Sequence, residues 1–161
     1  MSFTVDIVKN IIKRVLSTQF DIDRPLTEID RKIYRNFSRD EMACQHCGEL
    51  YISKLLMDRL QFARYIRNNA ICVTSGCRCP IHNSSKEVGG SAKSYHIGSV
   101  NKKIVSKAAD VKFIDGSDLL ELIIIFWLVG FRRFGINWKK KFLHVDIGKR
   151  ATGKFGYIFT Y

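Results

Sequence analysis

The chain has 161 residues, 46% of them hydrophobic and 26% charged. That is enough for one domain with a sizeable core, and too apolar for a disordered chain. A net charge of +12 points either to a solvated basic surface or to an anionic partner, whether nucleic acid, an anionic membrane surface or a polyanionic cell wall, and does not choose among them.

In chain order, residues 3–20 place Phe3, Ile7, Ile11, Val15 and Phe20 on a helical stripe. Asp6, Lys9 and Lys13 break that stripe, so the clean apolar centre of an export signal is missing. Residues 21–43 are charged, contain Pro25, and read as a connecting arm. Residues 49–69 predict a second helix, with Ile52, Leu55, Leu56, Leu60, Ala63 and Ile66 in register. Residues 70–76, "AICVTSG", are a short β-type run closed by Gly76. Residues 77–106 form a long loop with Pro80, Gly89, Gly90 and Gly98, and a loop this long in a small domain is usually functional.

Residues 107–113, "KAADVKF", predict a strand. "DGSDLLELIIIFWLVG" opens on turn chemistry, with Asp118 and Glu121 spaced as a capping box, then runs to Gly130 as a buried helix. Its apolar core, residues 119–131, is too short to cross a bilayer and holds Glu121, so no membrane span is expected. "FRRFGIN", "KFLHVDI" and "KFGYIFTY" are the last strand candidates, with the aromatics of the third assigned to the sheet core. This order predicts an α+β fold: a single domain with a mainly antiparallel sheet and packed helices.

Four residues stand out chemically. His144 and Asp146 lie two apart in an apolar strand and so project to one face. Asp110 sits between Ala109 and Val111, where a carboxylate must be paired or bind a metal. His96 lies on the loop that leads toward Asp110. A single buried histidine is usually a satisfied core residue, but two histidines and a carboxylate suit a catalytic zinc site, which takes three protein ligands and leaves one position open.

The segments "VTSGCRCPIHN", "GGSAKSYHIGS", "SKAADVKF", "GIN" and "FLHVDIG" together resemble the zinc peptidases of the M15 type, the D-alanyl-D-alanine carboxypeptidase and phage endolysin group. Ser94-Tyr95-His96 matches the Ser-x-His element, Lys107-Ala108-Ala109-Asp110 the Lys-Ala-Ala-Asp form, and His144-Val145-Asp146 the His-Val-Asp form of one branch. "FSRDEMAC", residues 37–44, is similar to that branch's opening segment. The resemblance covers roughly residues 37–148, so residues 1–36 are expected to be a helical extension and residues 37–161 the peptidase domain.

The resemblance implies Zn2+ at the sheet face, held by His96, Asp110 and His144. It places Arg78 as a catalytic and substrate-binding residue, its fixed charge suited to a carboxylate or an oxyanion. Ser94 supports the ligand loop and stands with Arg78 on the substrate side. Two departures mark this chain. Thirteen residues separate His96 from Asp110, against six in the family pattern, and an insert of this kind is tolerated when its ends stay close. The family's catalytic carboxylate, three residues before the last ligand, is replaced by Lys141. Asp146 is then the nearest carboxylate, either the general base, a partner that orients a ligand, or a structural residue.

There are five cysteines, an odd number that argues for a reducing compartment at synthesis. Cys44-x-x-Cys47 and Cys77-x-Cys79, with His46 between the first pair, invite a structural zinc or a disulfide joining the pairs, while Cys72 reads as a small buried apolar residue. His82 and Asn83 lie in "CPIHNSS", where the family resemblance implies a loop-shaping Asn83. A cysteine zinc on a basic chain would make a nucleic-acid-binding module. That reading leaves His96, Asp110 and His144 unexplained, so nucleic acid is not the expected partner. A third reading is a metal-binding or wall-binding domain that keeps the fold without catalysis.

The expectation is a zinc metallopeptidase acting on peptidoglycan stem peptides as a carboxypeptidase or an endopeptidase, with an anionic cell-wall polymer as a second partner. Without an export signal, it would be made in the cytoplasm and act at the wall as a phage or prophage lysin, or as a virion-borne part.

Overall fold

The computed structural model describes residues 24–28, 34–148 and 156–161. The helix expected over residues 3–20 lies outside them. The elements are α1 (Arg39–Met42), α2 (Lys54–Arg67), β1 (Val73–Ser75), α3 (Pro80–Asn83), β2 (Ala108–Lys112), α4 (Gly116–Leu128), β3 (Arg133–Asn137), β4 (Phe142–Asp146) and β5 (Tyr157–Thr160).

Local chemistry sets the helix ends. Ser38 and Glu41 form a capping box on α1, each side chain bonding the other's backbone N–H. Ser53 caps α2 through the N–H of Leu56 at 3.2 Å, which starts the helix later than the apolar stripe suggested. Leu56, Leu60 and Ala63 recur along one face of α2 and are fully buried, each buried leucine contributing about 1.5–3 kcal/mol. On α4 the cap is Asp115, which accepts from Asp118 N at 2.9 Å. Asp118 and Glu121, expected to act as a capping box, instead form ion pairs with Arg67 of α2. Nor is α4 buried throughout: Leu119, Leu122, Ile125 and Phe126 face the core, while Leu120, Ile124, Trp127 and Leu128 are exposed. No helix among the described residues is long and apolar enough to cross a membrane.

The five strands form one sheet in the order β1-β2-β4-β3-β5, antiparallel except where β5 runs parallel to β3. The α+β architecture with a mainly antiparallel sheet is therefore what the chain adopts. Period-two alternation gives the sheet two unlike faces. Ala109, Val111, Phe134, Ile136, Leu143 and Val145 join the hydrophobic core with α2 and α4. Asp110, Gly135, His144 and Asp146 fall on the opposite face. The register sets Asp110 opposite His144 on one side of β4 and Gly135 opposite His144 on the other.

Leu26 and Tyr34 are buried in the same core, so the segment read as a connecting arm is partly packed. Cys72, expected to be buried, is exposed. The long loop is not structureless. It holds α3 and paired bridges at Arg78–Ile97 and Ser99–Ile104.

Candidate metal centre

The insert between His96 and Asp110 closes on itself. Ser99 and Ile104 exchange backbone hydrogen bonds of 2.8 and 3.0 Å, with Lys103 in the left-handed region at φ 52°. Lys107 N then donates to Tyr95 O at 2.7 Å, which returns the chain beside the residue preceding His96. The extra residues thus project as a small exposed hairpin, and Asp110 reaches His96 despite the longer spacing.

Three atoms meet on the sheet face. His96 Nε2, Asp110 Oδ1 and His144 Nδ1 are each 3.0 Å from the other two. All three residues are buried. The outer nitrogen of each imidazole is taken. His96 Nδ1 donates to Gly76 O at 2.7 Å, and His144 Nε2 donates to Asp146 Oδ2 at 3.1 Å. A carbonyl and a carboxylate are both acceptors, so those nitrogens carry the protons. In the neutral rings, His96 Nε2 and His144 Nδ1 therefore face each other as bare lone pairs beside a carboxylate oxygen. Such a triangle is repulsive unless a cation or a proton sits within it. Nitrogen and oxygen ligands about 2.0–2.1 Å from zinc would stand roughly 3.3 Å apart in a tetrahedron. The donor set fits zinc in type, number and spacing.

Electrostatics agree with this. Burial works against the charged form of Asp110, but His96 and His144 outweigh it and hold the carboxyl well below the usual range. Burial pushes His96 down. Burial would push His144 down as well, but hydrogen bonds to Asp110 and Asp146 outweigh it and raise it.

Each expected site residue has a defined place. Arg78 Nη2 donates to Asp110 Oδ2 at 2.5 Å, and its Nε donates to Ser75 Oγ at 2.8 Å. A buried carboxylate left unpaired would cost several kcal/mol, and Arg78 is the partner of the Asp110 oxygen that points out of the triangle. Ser94 Oγ accepts from His96 N at 3.3 Å and shapes the turn that presents the imidazole. Asp146 stands behind His144. Its Oδ2 also accepts from Arg133 Nε at 3.1 Å and its Oδ1 from Gly148 N at 3.0 Å. Lys141 lies in the β3–β4 turn, its Nζ 5.7 Å and 5.8 Å from the ring centres of Phe113 and Trp138. Asn83 is loop-shaping as expected, with Nδ2 donating to Ser91 O at 2.9 Å.

The reading of the last strand needs correction. Its aromatics are not sheet core: Tyr157 and Tyr161 are exposed, and the Phe159 ring stands 6.0 Å from His144. The Arg133 guanidinium lies 4.6 Å from the centre of Phe159. Crowding by protein and the charge of Asp110 push the Tyr161 hydroxyl up to about 12. Arg133, Phe159 and Tyr161 were thus missed. The signal available was period-two alternation in "YIFTY", but nothing local shows that this strand pairs beside β3.

No curated protein matches the chain. The sequence model of the family described as Peptidase M15 matches residues 35–146, well over half of the chain and a span that contains the whole triangle and Asp146. On that match, the chain belongs to the peptidase M15 family.

Proposed function

We propose that this peptidase is a zinc-dependent enzyme that hydrolyses peptide bonds in peptidoglycan stem peptides, within the branch marked by His144-Val145-Asp146. The observation that carries this reading is the buried triangle of His96, Asp110 and His144, with both outer imidazole protons anchored away from it. In this reading the three residues are the zinc ligands. A zinc ion held by them would supply Lewis-acid polarisation of a scissile carbonyl and a water acidified toward neutrality.

The chain's own residues supply the rest. Arg78 holds Asp110, and Nη1, the arm of its fork that makes neither of the contacts above, suits a substrate carboxylate or a developing oxyanion. Ser94 fixes the His96 turn at the edge of the substrate side. Asp146 is a positioning residue here, because both its oxygens are engaged by Arg133, His144 and Gly148. It keeps the Nε2 proton in place and so leaves Nδ1 free for metal.

The net charge of +12 supports retention on an anionic wall polymer. The peptidase domain would begin before residue 37, since Leu26 and Tyr34 pack into its core, and the whole would act at the wall as a phage or prophage lysin.

Mass spectrometry of purified peptidoglycan fragments, digested with and without chelator and after zinc is restored, tests this. A zinc-restored cleavage product is expected, with loss of a terminal D-alanine marking a carboxypeptidase and a new internal end marking an endopeptidase. Intact fragments in the zinc-loaded digest would refute the reading and favour a domain that binds without cleaving.

A further inference from the structure

Away from the sheet face, the sulfurs of Cys44, Cys47 and Cys79 lie within 4.8 Å of one another. They come from two segments. The first is a tight turn, Cys44-Gln45-His46-Cys47-Gly48, in which Gly48 N donates to Cys44 O at 2.8 Å. Gly48 takes φ 69°, the left-handed conformation that closes the turn. The second is the start of α3, Cys79-Pro80-Ile81-His82, where Cys79 is the cap residue and its sulfur accepts from His82 N at 3.3 Å. Cys79 N in turn donates to Cys44 Sγ at 3.2 Å. Backbone N–H groups aimed at sulfur favour thiolates, the form that binds metal.

Two imidazoles flank the sulfurs. His82 Nδ1 is 3.4 Å from Cys44 Sγ, and His46 Nδ1 is 3.5 Å from Cys79 Sγ. Zinc with Zn–S near 2.3 Å and Zn–N about 2.0–2.1 Å sets neighbouring S and N ligands roughly 3.6 Å apart in a tetrahedron. The remaining cysteines are elsewhere. Cys77 Sγ faces Tyr51 O at 3.8 Å, and Cys72 is exposed. The sulfurs that meet are therefore Cys44, Cys47 and Cys79, with Cys77 outside the cluster and His82 beside Cys44.

We propose that Cys44, Cys47, Cys79 and His82 form a closed structural zinc site, distinct from the His96–Asp110–His144 centre. His82 is chosen over His46 because it is half-buried and shares one helical turn with Cys79, whereas His46 is exposed.

The site has a structural purpose. Between Ser75 and Lys107 the hydrophobic core cluster has no member, and the buried side chains there include Cys77, Cys79, Asn83 and His96, so sulfur and polar groups anchor this long segment. Arg78, next to Cys79, donates its N–H to His96 O at 2.8 Å and accepts from Gly98 N at 2.9 Å. Metal at the cysteines would fix the strip of chain that carries Arg78 and supports His96.

Cobalt substitution of the reduced full-length protein tests the proposal. The sheet-face centre contains no sulfur, so a thiolate-to-cobalt charge-transfer absorption reports the cysteine site alone, whatever the fate of the peptidase reading. The band is expected in the wild-type protein. It should vanish in Cys79→Ser, persist in Cys77→Ser, Cys72→Ser and His96→Ala, and shift in His82→Ala with metal affinity down about tenfold or more. Zinc should also slow alkylation of Cys47, an exposed thiol, in unmutated protein, a measurement that needs no variant to fold. The proposal is overturned by a wild-type spectrum without the band, by a band that survives Cys79→Ser, or by equal alkylation with and without zinc. An intact mass showing a disulfide among these cysteines in freshly prepared protein overturns it too. A band altered by His46→Ala and not by His82→Ala overturns the fourth ligand.

Discussion

Asp146 has one carboxylate oxygen on Gly148 N and the other shared between Arg133 Nε and His144 Nε2. Changing it to Asn removes the charge that pairs with Arg133 and weakens the hold on the His144 tautomer. Asp146→Asn should therefore lower zinc affinity by about tenfold or more, while turnover at saturating zinc stays near wild type. A rate loss on the order of 100-fold at unchanged zinc affinity would instead make Asp146 the base. Both quantities are to be measured on one preparation. Gly135 is a second single-residue control point. A Cβ there would stand 2.5 Å from the Phe159 ring and 3.1 Å from His144 Cβ. Gly135→Ala should cost about 1–3 kcal/mol in denaturant unfolding, as overpacking does, and combining it with Phe159→Ala should recover part of that cost. An alanine tolerated without loss in the wild-type background would mean that β5 does not pack as described.

At the scale of elements, the insert between His96 and Asp110 is a hairpin that satisfies its own backbone. Its tip, residues 100–103, is exposed, and its base is tied by Ser99 and Ile104. The positions of His96 and Asp110 therefore do not depend on its length. Replacing Val100–Lys103 with a two-residue Asn-Gly turn should leave zinc content and activity unchanged, with a stability shift of about 1 kcal/mol or less. Loss of zinc in that variant would show that the hairpin positions a ligand. The same scale explains why α4 looked wholly buried in sequence. Its run of apolar residues supplies the core-facing stripe, but the run is continuous around the helix, so hydropathy alone cannot mark which side meets the core.

At the scale of the whole molecule, strands β2 and β4 and the loop bearing His96 converge to give one buried centre, and their joint field sets its pH response. Partners raise His144 above its ordinary value of 6.5 despite burial. In the metal-free protein its proton is therefore held to a higher pH than an ordinary histidine would hold it. Zinc must displace that proton, so zinc affinity should fall on acidification, starting from a higher pH than 6.5 would give. Competition titrations with a chromogenic chelator, from neutral to mildly acidic pH, check this. An affinity that stays flat to well below 6.5 would contradict the assigned partners.

Among the described residues, the sequence by itself determined the two long helices α2 and α4, the strand runs, the two-faced alternation of β2 and β4, and the choice of His96, Asp110 and His144 as candidate ligands, which the structure brings within 3.0 Å of one another. These are local properties: hydrophobic period, turn chemistry and residue type at fixed spacing. Only the tertiary structure decided what depends on contacts distant in sequence. It put β5 beside β3 and so brought Phe159 to His144, a pairing that period-two alternation cannot specify. It exposed Cys72, moved Cys77 out of the cysteine cluster and brought His82 into it, because backbone hydrogen bonds across the loop, and not Cys-x-Cys spacing, decide which way each sulfur points.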